Sequence, residues 1–306
     1  MPEARTVLTH LGRFHDEMTP LLKRLVPGVS FTDRGPSDVL VALPTDQAAL
    51  AGKLTPEVRW VHVLGAGVDG FPLDAVGDRM LTSSRGAAAP AIAEFVLAET
   101  LAFEKQLPER WLHEPPERWN TARLGSLRGK TVGILGLGAI GTEVARLSLV
   151  LGANIVALRR TTKTPTLEQV EVSASLSDVI ARADHLVVTL PATKETHHLL
   201  AKAAFADMKP GVHLVNVSRG SIIDQNALLA ALDDGTVARA SLDVVDPEPL
   251  PAGHPFYTHP KVRLTAHISW SSPDTMKRTI EQFAANLKRY ENGEPLQDLV
   301  DIDAGY

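Results

Sequence analysis

Residues 131–141 read Thr131-Val132-Gly133-Ile134-Leu135-Gly136-Leu137-Gly138-Ala139-Ile140-Gly141. A short apolar run passes into glycines spaced as GxGxxG, and a helical pattern follows over 139–151. A GxGxxG alone is weak evidence. One that closes a buried strand and opens a helix marks a dinucleotide-binding turn. Gly136 permits the tight turn, Gly138 lets backbone approach a pyrophosphate, and Gly141 lets the helix pack on the strand. Ala139 and Ile140 complete the loop, where a helix N-terminus offers unbonded N–H groups and a positive dipole end to phosphate. A glycine-rich turn without a ligand is the plainer alternative, and the flanks favour the dinucleotide.

The next apolar run, 154–158, ends in Arg159-Arg160-Thr161. A ribose with a free 2′-OH is usually held there by Asp or Glu. A carboxylate would repel a 2′-phosphate, whereas guanidinium groups pair with it. Arg159, Arg160 and Thr161 therefore point to NADP(H) as the preferred cofactor, with NAD(H) as the other candidate. If the arginines are only solvated surface residues, this preference lapses.

Further apolar runs at 185–190, 212–217, 239–244 and 262–265 alternate with helical stretches, notably 176–182 and 224–233. Six strands with crossover helices predict one doubly wound parallel sheet from about residue 90 to 270. Upstream, strands are expected at 5–9, 39–43, 60–64 and 80–83, with helices at 16–25 and 88–103. A broken segment with Pro115-Pro116 and two tryptophans covers 108–120. A last helix, 273–290, is expected to begin with Pro273 in its first turn, and it could return to the first domain.

The chain has 306 residues, enough for about two domains. It is 44% hydrophobic and 22% charged, an ordinary globular composition. It has no cysteine, which excludes disulfides, thiolate metal sites and cysteine nucleophiles. A net charge of −5 without basic runs gives no nucleic-acid footprint. No metal-ligand spacing is present. The adjacent His197 and His198 read as surface residues, and Trp111 and Trp119 as packing or interface residues. The first residues lack the apolar core of a signal peptide, and no run is long enough to span a bilayer. A cytoplasmic protein without membrane or nucleic-acid partners is expected.

Three segments put polar residues at the carboxyl ends of apolar runs, where open α/β sheets bind ligands. They are Val215-Asn216-Val217-Ser218-Arg219-Gly220, then Ser241 to Leu250, then Leu264-Thr265-Ala266-His267-Ile268-Ser269-Trp270. Arg219 could hold a carboxylate by a bidentate pair. His267 could donate a proton to a ketone oxygen as it becomes an alcohol. Glu248 could bond the other imidazole nitrogen, keeping the ring charged and aimed. Singly, each is as readily a salt-bridge, turn or surface residue. Their joint placement favours hydride transfer at a carbonyl.

With these segments in view, the sequence resembles the D-isomer-specific 2-hydroxyacid dehydrogenase family, including its glyoxylate/hydroxypyruvate reductase-like, NADP-type members. The resemblance runs over nearly the whole chain and is strongest over 127–272. It rests on 127–138, on Leu190-Pro191-Ala192-Thr193 with Thr196, on 215–220 with Ile223-Asp224, on Leu242-Asp243-Val244 with Glu248-Pro249-Leu250, and on 265–269. It implies an α/β fold, with a doubly wound parallel-sheet (Rossmann) cofactor domain at 90–272. That domain would be inserted into a smaller flavodoxin-like α/β substrate domain formed by 1–89 and 273–306.

By the same resemblance Arg219, Glu248 and His267 are the catalytic residues. Leu190, Pro191, Val217, Ser218, Asp243 and Ser269 join the glycine loop around the cofactor, with Asp243 at its nicotinamide end. Gly65-Ala66-Gly67-Val68-Asp69 resembles the loop whose backbone receives the substrate carboxylate, which makes Ala66 and Gly67 substrate-binding residues together with Arg219 and Trp270. A small 2-oxo acid substrate and a homodimer are implied. The histidine motif departs from the family in carrying Ala266 where Pro is usual and Trp270 where a small residue is common. A nucleotide-sensing binding protein of the same fold, like corepressor relatives of the family, is the alternative of another class.

Overall fold

Valine- and leucine-rich runs bounded by glycine, proline and charged residues form parallel strands throughout the chain. The structure, a computed structural model, describes residues 5–43, 46–159, 167–302 and 304–305. Its contacts divide the chain into two units, one of residues 1–88 with 271–306 and one of residues 89–270.

The first unit opens with β1 (Arg5–His10), α1 (His15–Leu25), β2 (Val29–Thr32) and β3 (Val39–Ala42). It continues with α2 (Gln47–Ala51), β4 (Trp60–Val63), α3 (Leu73–Val76) and β5 (Met80–Ser83). The sheet order is β2-β1-β3-β4-β5, and every pairing is parallel. This is the flavodoxin-like order. β3 and β4 are buried along their whole length, as strands covered on both faces must be.

The second unit begins with the 17-residue α4 (Ala89–Lys105). After an irregular stretch come β6 (Thr131–Leu135), α5 (Ala139–Val150), β7 (Asn154–Leu158), β8 (Val170–Ser173), α6 (Leu176–Arg182) and β9 (His185–Val188). Then follow α7 (Lys202–Ala206), β10 (Val212–Asn216), α8 (Gln225–Asp234), β11 (Val237–Leu242) and β12 (Val262–Leu264). The parallel sheet runs β12-β11-β10-β9-β6-β7-β8. The chain steps outward from β6 to β8, then crosses back to β9. The strand order therefore reverses between β6 and β9, the point where such sheets bind ligands. Val156, Leu186, Leu214, Ala240 and Leu242 form the core beneath that edge. Burying each large aliphatic contributes about 1.5–3 kcal/mol.

The chain ends in the first unit with α9 (Thr275–Glu291). Its Phe283 stacks on Trp60 at 5.7 Å between ring centroids. Pro273 lies before this helix rather than in its first turn, because Ser272 accepts the Thr275 N–H through its hydroxyl and starts the helix there. β2 and β8 were not expected from the sequence, and the second sheet has a seventh strand as a result. Both are four-residue edge strands. An edge strand is half solvated, so its hydrophobic signal is weak. Among the described residues no helix is long and apolar enough to cross a membrane.

Candidate active site

The turn after β6 is built on the absence of side chains. Gly136 has φ +102°, and a Cβ there would sit 3.0 Å from the Thr189 and Leu190 backbone. Thr189 Oγ1 donates to the Gly136 carbonyl at 2.6 Å and fixes the turn. A Cβ on Gly141 would lie 2.1 Å from that same carbonyl oxygen. Gly138 caps α5 in an extended conformation, and a Cβ on it would point into open space. Ala139 and Ile140 form the first turn of α5, which carries no acid. Backbone can thus reach an anion at the positive end of a helix without steric or charge opposition. These residues fit a dinucleotide diphosphate.

Two neighbouring loops close on this turn. Leu190 accepts the Ser218 hydroxyl at its carbonyl, and Pro191 accepts from Thr196 Oγ1 at 2.7 Å. Val217 is buried. β7 ends at Leu158, and the N–H of half-buried Arg159 donates to Ser173 O at 3.2 Å. Arg160 and Thr161 lie outside the described residues.

At the end of β10, Asn216 is fully buried and wraps the turn. Its Oδ1 accepts the Ser218 N–H at 3.1 Å, and its Nδ2 donates to the Arg219 carbonyl at 2.9 Å. The Arg219 guanidinium donates to Ser218 O at 2.7 Å. At the end of β11, Asp243 is almost wholly buried. One carboxylate oxygen accepts Thr265 Oγ1 at 2.6 Å and Ile268 N at 2.8 Å, and the other accepts Ser269 N at 2.9 Å. His267 N donates to Asp243 O at 2.8 Å. Asp243 therefore organises the whole turn after β12. That turn holds His267 at φ +55°, a left-handed conformation uncommon outside glycine, though Asn, Asp and His adopt it more often than other residues. Such a residue costs about 1–3 kcal/mol and persists where its surroundings dictate it.

The turn brings His267 Nδ1 to 2.9 Å from Glu248 Oε2. The other Glu248 oxygen accepts the Val245 N–H at 3.2 Å. Burial raises the Glu248 carboxyl, but the bond and charge of His267, the Val245 N–H and the Arg219 charge outweigh it, and the net displacement is downward. Asp243 behaves alike: burial raises it, and the bonds from Ser269, Thr265 and Ile268 bring it below its ordinary value. With Glu248 ionised and acceptor-only, the proton between it and the ring sits on Nδ1. His267 Nε2 is left as the nitrogen that can face a reacting atom.

Trp270 Nε1 donates to the His267 carbonyl at 2.9 Å, which sets the indole beside the histidine. Ser269 is buried below it. Thus Arg219, Glu248, His267, Asp243, Ser269 and Trp270 gather at the ends of adjacent strands. Ala66 and Gly67 belong to the other unit, in the turn leaving β4, where Gly65 O accepts the Ser84 N–H at 2.8 Å. His197 and His198 are exposed and stacked at 4.0 Å. No group of three or more His, Cys, Asp or Glu among the described residues could hold a metal. Thr189, Asn216 and Thr265 were not singled out by sequence. Asn216 and Thr265 carried a signal, each as a polar residue closing an apolar strand in the segments quoted above.

The family described as D-isomer specific 2-hydroxyacid dehydrogenase, NAD binding domain, matches residues 97–269. A D-3-phosphoglycerate dehydrogenase of Bacillus subtilis is 33% identical over 261 residues; the match covers 83% of this chain but 49% of that one, so the chain spans about half its length. A glyoxylate/hydroxypyruvate reductase A of Serratia proteamaculans is 32% identical over 275 residues, with 86% and 85% of the two chains covered. A D-isomer specific 2-hydroxyacid dehydrogenase of Xanthobacter autotrophicus, solved in complex with NADPH and MES, superposes with a TM-score of 0.86 at 29% identity over 99% of this chain and 100% of that one. The motifs, the sheet order and these likenesses agree: the chain belongs to the D-isomer-specific 2-hydroxyacid dehydrogenase family of NAD(P)-dependent oxidoreductases.

Proposed function

We propose that this protein is a cytoplasmic 2-oxoacid reductase that prefers NADP(H) and acts on a small acid such as glyoxylate or hydroxypyruvate. The observation that carries the reading is the His267–Glu248 pair at 2.9 Å, with the Arg219 charge acting on the same carboxylate. A dinucleotide held at the Gly136–Gly141 turn would supply, through its nicotinamide, the hydride that reduces C2 of the oxo acid. His267 gives the proton from Nε2 to the oxygen that becomes the hydroxyl. Glu248 stays ionised, fixes the Nδ1 proton and stabilises the ring while it carries its second proton. Arg219 pairs with the substrate carboxylate and orients the carbonyl toward the histidine. Asp243, which holds the turn that carries His267, would stand at the nicotinamide end.

Two lines support NADP(H). The strand end that would carry a ribose-binding acid carries Arg159, and the Xanthobacter relative was solved with NADPH. A homodimer through the second unit is proposed on the strength of Trp111 and Trp119, which are 64% and 77% exposed in the irregular stretch after α4. Such large exposed aromatics are characteristic of interface cores. The intact His267–Glu248 pair favours an enzyme over a nucleotide sensor.

The deciding experiment follows nicotinamide absorbance with NADPH and NADH against glyoxylate, hydroxypyruvate, pyruvate and phenylpyruvate. Turnover faster with NADPH is expected. Faster turnover with NADH would overturn the cofactor preference. Cofactor binding without turnover on any of the acids would turn the reading toward a sensor.

A further inference from the structure

Glu248 stands on the loop between β11 and residue 250, and the loop must hold its carboxylate in place to keep the 2.9 Å bond to His267. The loop's ends are secured. Asp243 is buried under the bonds described above, and Leu250 is buried with its carbonyl accepting Tyr257 Oη at 3.0 Å. The middle is exposed, and the Val245 N–H is spent on Glu248 itself. Two features of the segment 220–225 reach this middle. Gly220 lies so close that a Cβ on it would be 2.0 Å from the Val245 carbonyl carbon. Gln225 grips the next residue from the start of α8: its Nε2 donates to Asp246 O at 2.5 Å, and its Oε1 accepts the Asp246 N–H at 3.3 Å.

This grip needs an amide. One side-chain group must donate and accept at once, in the one orientation that matches a peptide N–H and C=O. A glutamate could only accept, and its charge would face the Asp246 carbonyl. The side chain is aimed because the helix start is fixed. Asp224 accepts from the Asn226 and Ala227 N–H groups at 3.0 and 3.1 Å, which leaves Gln225 as the first residue of α8.

We propose that Gln225 is a positioning residue for the acid–base pair: its two-way bond to the Asp246 backbone keeps Glu248 in register with His267 Nδ1. The inference rests on Glu248 and His267 being that pair. It is tested on the full-length protein with NADPH and the fastest acid of the panel, using Gln225→Met, Gln225→Glu, Glu248→Gln and the double variant Gln225→Met with Glu248→Gln. Gln225→Met is expected to lower kcat roughly tenfold, with KM for the acid and Kd for NADPH within about twofold of the wild type. Gln225→Glu should not restore the rate. On the Glu248→Gln background the Met substitution should add almost no further loss, since its route to the chemistry is already cut.

Wild-type kcat in Gln225→Met would overturn the role. So would a loss that multiplies in full on Glu248→Gln, or one that appears in cofactor affinity, either of which marks a general structural effect. Wild-type activity in Glu248→Gln would instead overturn the acid–base assignment on which the role depends.

Discussion

At the scale of single residues, the site depends on one imidazole held in an unfavourable backbone conformation. His267 keeps φ +55° because its own N–H and those of Ile268 and Ser269 all end on Asp243. The ring is thereby presented with Nδ1 on Glu248. His267→Gln is expected to lower kcat about 10²–10⁴-fold, the usual worth of a placed proton donor. NADPH binding, followed by nucleotide fluorescence, should persist; its loss would mean that the histidine serves the cofactor instead. Arg159→Asp puts a carboxylate at the end of β7, where it can bond a free ribose and repel a 2′-phosphate. The ratio of kcat/KM for NADPH over NADH should fall by at least about tenfold, and an unchanged ratio would remove Arg159 from cofactor choice.

Arg219, Glu248 and His267 were legible in the sequence because each is a charged or polar residue just past an apolar strand. The conformation of His267 was not. The histidine itself is only weakly suited to a left-handed conformation, and what imposes it is Asp243, 24 positions earlier in the chain. The turn wrapped by Asn216 was hidden for a similar reason: the residue was visible, and its two bonds were not.

At the scale of elements, the strand–turn–helix of β6 and α5 was legible almost to the residue, because glycine spacing and apolar runs are both local signals. The edge strands β2 and β8 were not. Only Phe31 of the first and Val170 of the second are buried, too little alternation to separate a strand from a loop. Their existence is decided by pairing with β1 and β7, which is long-range information. The legible element makes the sharper prediction. In Gly141→Ala the new methyl would have to fit 2.1 Å from the Gly136 carbonyl, a backbone atom that cannot swing aside. α5 must shift from the turn, at a cost of about 1–3 kcal/mol. Kd for NADPH should rise while the kcat reached at saturating cofactor falls less. Unaltered affinity would show that the turn does not hold the diphosphate.

At the scale of the whole molecule, each of the two units encloses fully buried histidines. His62, fully buried in β4, bonds Thr82 Oγ1 at 2.8 Å and Ser84 Oγ at 3.0 Å, and burial lowers its pKa to about 3. In the second unit, His185 and His213 are buried with their Nδ1 atoms 3.2 Å apart. Burial lowers both, His213 the further, with the Arg239 charge adding to it; Glu104 opposes the displacement of His185. All three are held neutral in the folded protein, whereas in an unfolded chain histidine takes a proton near pH 6.5. Below that pH the unfolded state binds more protons than the folded one, so stability is full above about pH 6.5 and is lost as pH falls toward the folded values.

For His62 alone the loss between pH 7 and pH 4 is of the order of 3 kcal/mol. Urea midpoints measured at pH 7, 5.5 and 4 should therefore decline steeply for the wild type. His62→Gln lacks the titrating group. It should be less stable at pH 7, where it gives up bonds to Thr82 and Ser84, yet its midpoint should fall more gently with acid than that of the wild type. Parallel declines in the two proteins would assign the acid sensitivity to His185, His213 and the carboxylates of the site instead.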